Sequence, residues 1–415
     1  MSRVIILLLD SFGIGCAEDA AKFGDAGADT LGHINEWCGK NRKDESGKPN
    51  YLFLPNMNMR GLGQAAEASR GKKLSFPLSE NDKNLSGACG FASPISKGKD
   101  TLSGHWEMMG VPVRFDWGYF SAKENSFPDD LLTKLIEEGG IPGILGNKHA
   151  SGTEIIKELG EEHCRTGKPI VYTSADSVLQ IAAHENAFGL ERLYALCQVA
   201  FKLVQPYHIA RVIARPFVGD TPSDYARTGN RHDYAVPAPE ETLLDKLCES
   251  GGHVHAIGKI ADIFAHRGIS RHYPATGLEA LFDATIEAVH EAKDNSIVFA
   301  NFVDFDSSYG HRRDVQGYAD GLEYLDKRLP ELFKCMQSSD LALITADHGC
   351  DPTWSGSDHT RENIPALFFG ASVRPQVLSP MKTFSDIGQT LAFYLNLSLE
   401  NGEAQDIFQQ RREYK

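Results

Sequence analysis

Apolar residues fall along this chain in two patterns. Short unbroken runs occur at Val4–Leu9, Ile170–Tyr172, Arg211–Ala214, Val254–Ile257, Ile297–Val303, Leu341–Thr345 and Ala366–Phe369. They predict strands buried on both faces, the form that parallel strands take beneath covering helices. Stretches with helical spacing alternate with them: Leu131–Glu138, Glu191–Gln205, Glu240–Ser250, Leu278–Ala292, Tyr318–Met336 and Phe384–Leu395. Pro239 and the acids after it suit a helix start. The alternation predicts an α/β architecture with a mostly parallel sheet flanked by helices. The polar segments Lys40–Asn50 and Arg70–Asn84 read as loops. The stretch 117–237 has strands and helices of its own and closes on "AVPAPEE", a linker-like composition. The expected organisation is a core formed by 1–116 and 238–415, interrupted by a smaller α/β domain at 117–237.

Composition narrows the function classes. With 41% hydrophobic and 24% charged residues the chain is globular rather than disordered. Its 42 basic against 56 acidic residues give a net charge of −14, which argues against a protein that coats nucleic acid. Eight scattered cysteines form no C-x-x-C pair, so they read as reduced thiols. The opening apolar run is too short for a signal peptide and no long apolar run follows. A cytoplasmic protein without membrane segments is expected.

The chemistry lies where strands end. Val4–Leu9 runs into Asp10. Ile297–Val303 runs into Asp304, Asp306 and His311 in "NFVDFDSSYGHRRD". Leu341–Thr345 runs into Asp347, His348 and His359 in "ADHGCDPTWSGSDHTREN". Sites in open α/β sheets form outside the carboxyl ends of strands, so parallel strands would gather these groups at one edge. Asp10, Asp306, His311, Asp347, His348 and His359 make three carboxylates and three imidazoles. That number suits two metals of mixed O/N ligation, Mn²⁺ or Zn²⁺, spaced to clamp a phosphoryl group. Any one of these aspartates alone would be read as a turn former or helix cap.

Two further features stay open at the level of residues. Gly13 and Gly15 resemble a dinucleotide fingerprint, but Glu18 stands where its third Gly or Ala belongs. They read better as a tight loop. In "GKDTLSGHWEMMG" a helix can start at Thr101, whose hydroxyl is either a nucleophile or an ordinary N-cap; Ser103 is a rival hydroxyl. Arg312 and Arg313 could shield the acidic site or lie in salt bridges.

The order of strand-end Asp, hydroxyl, Asp…His, Asp-His and late His resembles the alkaline phosphatase superfamily. More closely, "VDFDSSYGHRRD", "GKDTLSGHWEMMG", "ADHGCDPTWSGSDHTREN", "VYTSADSVLQIAAHE" and "RTGNRHDYAV" are similar to the bacterial phosphopentomutases. The resemblance implies an alkaline-phosphatase-like core with an inserted α/β cap, and two Mn²⁺ ions at the core–cap junction. Asp10, Asp347 and His348, with the Thr101 oxygen, would hold one ion; Asp306, His311 and His359 the other. Thr101 would carry a phosphoryl group. The reaction implied interconverts α-D-ribose 1-phosphate and D-ribose 5-phosphate, and the 2-deoxyribose pair, in nucleoside catabolism. A sugar bisphosphate such as glucose 1,6-bisphosphate would activate it. Ser174, Asp176, Arg215, Arg231 and Lys259 are the candidates for sugar-phosphate contact, Arg by bidentate and Lys by point contact. The alternatives are a metal-dependent phosphohydrolase and a cofactor-independent phosphoglycerate-type mutase of the same superfamily.

Overall fold

A computed structural model of the protein describes residues 3–74, 85–174 and 177–409. Most of the expected polar segment Arg70–Asn84 lies outside them. The described residues form strands β1 (Arg3–Leu9), β2 (Ala88–Ala92), β3 (Leu145–His149), β4 (Ile170–Thr173), β5 (Val178–His184), β6 (Arg211–Val218), β7 (Ala226–Arg227) and β8 (His232–Ala235). They continue with β9 (His253–Ile257), β10 (Arg271–Tyr273), β11 (Ser296–Phe302), β12 (Asp340–Thr345), β13 (Ile364–Phe369) and β14 (Gln376–Val377). The chain divides into two compact units, 1–114 with 238–415, and 115–237.

The first unit is built on one sheet of order β10-β9-β11-β1-β12-β13-β2-β14. β1 lies parallel to β11 on one side and β12 on the other, with Leu8 beside both Asn301 and Thr345. Every residue of β1, β11 and β12 is buried, which explains their unbroken apolar runs. One strand departs from expectation. β13, read as another parallel strand, runs antiparallel to β12, and β2 runs antiparallel to β13. The reversal puts the start of β13 and the end of β2 at the edge where β1, β11 and β12 finish. The loop before β13 carries His359, and the loop after β2 leads into the helix that begins at Thr101.

Helix boundaries follow local chemistry. The helix expected from Glu240 begins at Leu243 instead, because Thr242 forms a capping box with Asp245. Thr242 N donates to Asp245 Oδ2 at 2.8 Å, which satisfies one of the orphan donors of the first turn. Among the described residues no helix is long and apolar enough to cross a membrane.

The second unit has its own sheet, β3-β4-β5-β6-β7, with β8 pairing β6. β5 and β6 are parallel, and β4 is antiparallel to β5. Leu131 and Leu135 of the helix Asp129–Gly139 share a core with Leu193 and Leu196 of the helix Leu190–Val204. Ile155 and Ile156 of the helix Gly152–Thr166 pack with Tyr172 and Phe217 in a second cluster. Both clusters are seated on apolar positions of the same strands.

Candidate metal centre

Asp10, Asp347 and His348 converge first. Their ligand atoms lie within 4.8 Å of one another, and all three residues are buried. His348 Nε2 stands 3.2 Å from Asp347 Oδ2 and 3.6 Å from Asp10 Oδ1. The backbone N–H of Ser11 donates to the other Asp347 oxygen at 3.0 Å. Gly104 lets the helix Thr101–Met108 press against this strand end: a Cβ there would sit 2.1 Å from the Asp347 carbonyl oxygen.

Asp306, His311 and His359 form the second half. Asp306 Oδ1 is 3.2 Å from His359 Nε2, and Asp306 Oδ2 is 3.3 Å from His311 Nε2. The two imidazole Nε2 atoms are 3.1 Å apart. The halves are contiguous, since the His348 and His359 rings stack with centroids 3.9 Å apart.

Each histidine turns its other nitrogen to a carbonyl. His311 Nδ1 donates to Ser357 O at 2.6 Å, His348 Nδ1 to Gly349 O at 3.1 Å, and His359 Nδ1 to Lys99 O at 3.0 Å. Carbonyls only accept, so the proton sits on Nδ1 and the Nε2 lone pair faces inward. Asp10 Oδ1 and Asp306 Oδ1 are buried with no hydrogen-bond partner among the described residues, and Asp347 Oδ2 has imidazole nitrogens of His105 and His348 beside it at 3.1 and 3.2 Å. Inward lone pairs beside orphaned carboxylate oxygens are costly alone and suit hard or borderline divalent cations. The donor set therefore fits the metals that the sequence implies.

The electrostatics show the same strain. Burial, then the charges of Asp347 and Asp306, push the Asp10 carboxyl well above the usual range. Burial also works against ionised Asp306, but without a cation His359 and His311 in their protonated form outweigh it and hold that group well below the usual range. Burial lowers His348, with Asp347 opposing the shift.

Thr101 is the first residue of its helix, and Asp100 is the N-cap, its side chain accepting from Ser103 N. The N-cap reading of Thr101 is thus corrected. Its hydroxyl lies 3.4 Å from His348 Nε2, and the residue is partly exposed. Ser103 is fully buried and its hydroxyl donates to Asp100 Oδ2 at 2.7 Å, so the rival is held away in the cap.

Gly13 and Gly15 cradle no phosphate. A Cβ on Gly13 would strike the Glu362 carboxylate at 2.2 Å, so this glycine makes room for a buried acid. Glu362 accepts from Thr30 N at 2.9 Å and from the hydroxyls of Thr30 and Thr360 at 2.7 and 2.6 Å. Arg313 donates to the carbonyls of Gly310, Gly356 and Asp358 and to Cys350 Sγ. It clamps the loop that also holds His311.

Among substrate candidates, Lys259 stands in the first unit, where its charge acts on Asp10. Ser174, Arg215 and Arg231 belong to the second unit. Gln180 links two of them, donating to Ser174 Oγ at 3.5 Å and accepting from Arg215 Nε at 3.0 Å. Burial, helped by Arg231 and Arg227, lowers Arg215 to about 10. Arg231 makes two 2.6 Å contacts to Asp233. Asp176 lies outside the described residues.

Three residues escaped the sequence reading. Cys350 groups with Asp306 and His311 within 4.8 Å, and only its place in "ADHGCD" hinted at it. His105 and Asn301 are fully buried beside Asp347 and Asp10, with no sequence signal beyond His105 lying one turn after Thr101.

Asp and His clusters of this kind at one sheet edge suit divalent metals, and the chain matches the Metalloenzyme superfamily over residues 2–399. Its curated relatives are more specific. A phosphopentomutase of Yersinia enterocolitica is 60% identical over 402 residues, covering 96% of this chain and 98% of the relative. One of Proteus mirabilis is 58% identical over 409 residues, covering 97% and 100%. The chain belongs to the phosphopentomutase family, isomerases that act as phosphotransferases. Among solved structures, a phosphoglycerate mutase of Leishmania mexicana is similar at 13% identity and a TM-score of 0.44, over 98% of this chain and 96% of that one.

Proposed function

We propose that this enzyme interconverts α-D-ribose 1-phosphate and D-ribose 5-phosphate, and the 2-deoxyribose pair, through a phosphothreonine at Thr101 and two Mn²⁺ ions. The observation that carries the reading is the hydroxyl of partly exposed Thr101, at a helix start and 3.4 Å from His348 beside the two trios. Asp10, Asp347, His348 and the Thr101 oxygen would hold one cation; Asp306, His311 and His359 the other. When bound, the cations neutralise the buried carboxylates and lend Lewis acidity to a phosphoryl group.

The remaining work falls to the chain itself. Phosphorylated Thr101 hands its phosphoryl group to the free hydroxyl of a pentose monophosphate. The P–O bond to Oγ1 breaks as the bond to the sugar oxygen forms, and the proton of the sugar hydroxyl ends on Oγ1. The bisphosphate then returns its other phosphoryl group to Oγ1, which restores the enzyme. A sugar bisphosphate such as glucose 1,6-bisphosphate charges Thr101 at the outset. The N–H groups at the start of the helix Thr101–Met108 favour the phosphoryl charge. Substrate contact falls to Ser174, Asp176, Arg215, Arg231 and Lys259. The Arg215 guanidinium, lowered first by burial and then by Arg231 and Arg227, supports an anion as its partner. Free cysteines suit a cytoplasmic setting.

The test incubates the Mn²⁺-loaded enzyme with ribose 5-phosphate and a trace of glucose 1,6-bisphosphate, followed by phosphorus NMR. Ribose 1-phosphate with little free phosphate is expected, and coupling to a nucleoside phosphorylase draws the reaction forward. Release of inorganic phosphate as the main product would make the protein a phosphohydrolase instead.

A further inference from the structure

Behind the first trio lie two polar side chains that the mechanism does not use. His105 and Asn301 are both fully buried, in surroundings where an unused polar group is costly. Asn301 belongs to β11 and His105 to the helix that begins with Thr101. Asn301 Nδ2 donates to Asp10 Oδ2 at 2.8 Å and reaches His105 Nε2 at 3.4 Å. His105 Nδ1 stands 2.8 Å from the Thr101 carbonyl oxygen and 3.1 Å from Asp347 Oδ2.

These partners settle the protons. Two oxygens that only accept face Nδ1, so Nδ1 carries the hydrogen. An amide N–H faces Nε2, so Nε2 accepts. The ring is held from its faces and edges as well, stacked on Phe299 at 5.9 Å and met edge-on by Phe264 at 6.4 Å. The result is one connected path: Asp10, Asn301, His105, then Asp347 and the Thr101 backbone. It joins two carboxylates from different strands to the helix that bears the nucleophile.

The geometry points to His105 and Asn301 as positioning residues that fix the Asp10 and Asp347 carboxylates against the start of the Thr101 helix, and so set the affinity of one of two cation sites. The inference rests on the two-cation reading above. Such outer partners typically set metal affinity by about ten- to a hundredfold. The other site, built from Asp306, His311 and His359, shares neither residue.

The experiment titrates Mn²⁺ into metal-free wild type and into His105→Gln, His105→Ala and Asn301→Ala, read by calorimetry and by electron paramagnetic resonance. Asp306→Asn serves as the reference for a protein weakened at the other site. Wild type is expected to bind two ions with an exchange-coupled signal. In His105→Ala and Asn301→Ala one site weakens ten- to a hundredfold, the other keeps its affinity, and a single-ion signal appears at intermediate Mn²⁺. His105→Gln, which keeps a donor and an acceptor, recovers part of the loss. Equal affinity at both sites in all variants overturns the inference while leaving the two-cation reading intact. So does parallel loss at both sites with a lowered melting temperature of the metal-free variants, since that outcome makes the pair mere core. Failure of wild type to bind two ions overturns the underlying reading itself.

Discussion

Replacing Gly104 by alanine separates packing at the site from helix propensity, because the two predict opposite signs. Gly104 is the fourth residue of the helix Thr101–Met108 and its φ is not positive, so alanine fits the backbone. In an open helix the change would stabilise by about 0.8–1 kcal/mol. Here the new Cβ would lie 2.1 Å from the Asp347 carbonyl oxygen, 2.7 Å from its carbon and 2.9 Å from its Cβ. Two of those atoms are backbone, so no rotamer relieves the clash. Reaching an ordinary contact requires the helix to withdraw from the strand end by about 1 Å. Overpacking of this kind costs about 1–3 kcal/mol, which outweighs the propensity gain. The same shift moves Thr101 from its 3.4 Å contact with His348 and strains both contacts of His105. A displacement of that size costs about a hundredfold in turnover. Urea unfolding and mutase turnover measure the two effects on one preparation. A Gly104→Ala enzyme with full turnover and a raised urea midpoint would refute the close approach of helix to Asp347.

Further tests address the rest of the site. Thr101→Ala should retain both cations by elemental analysis but lose phosphoryl transfer by at least about a thousandfold, while Thr101→Ser keeps a measurable fraction. Turnover surviving in the alanine variant would remove the phosphothreonine. Asp10→Asn should lower metal occupancy by one ion per chain; full loading would sink the role given to Asp10. Chelation should abolish turnover and lower the melting temperature, because it strands the buried oxygens of Asp10, Asp306 and Asp347. Burial, reinforced by Asp351, raises Glu362 from 4.5 to about 8. The folded state then holds this proton longer than the unfolded one, so its contribution is full below about pH 4.5 and is lost as pH rises through about 8. Glu362→Gln should flatten the stability profile across that window in pH-dependent urea unfolding. An unchanged slope would mean that Glu362 is ionised in the fold.

What the chain alone made legible was local. Seven apolar runs marked strands because burial on both faces leaves no polar position to break them. Three ended in Asp or His, and that repetition singled out six candidate donors before any geometry was known. Thr101 could be placed at a helix start because Asp100 and the helix-forming residues after it are neighbours in sequence. The long motifs carried the family.

The remainder depended on pairings between distant segments. Nothing near Ile364–Phe369 announces that β13 runs backwards, since direction is set by its partners β12 and β2. Yet that reversal puts the loop bearing His359 at the edge where Asp10 lies, and brings the end of β2, with Thr101 beyond it, to the same place. Gly13 looked like a phosphate turn until Glu362, 349 residues later, was found filling the space of its absent side chain. His105 and Asn301, 196 residues apart, have no common pattern in sequence and meet only because the helix Thr101–Met108 packs against the strand ends. Residue types at strand ends are written in one dimension. Which hydrogen bonds orient them is decided only when the sheet brings separate loops within a few ångströms.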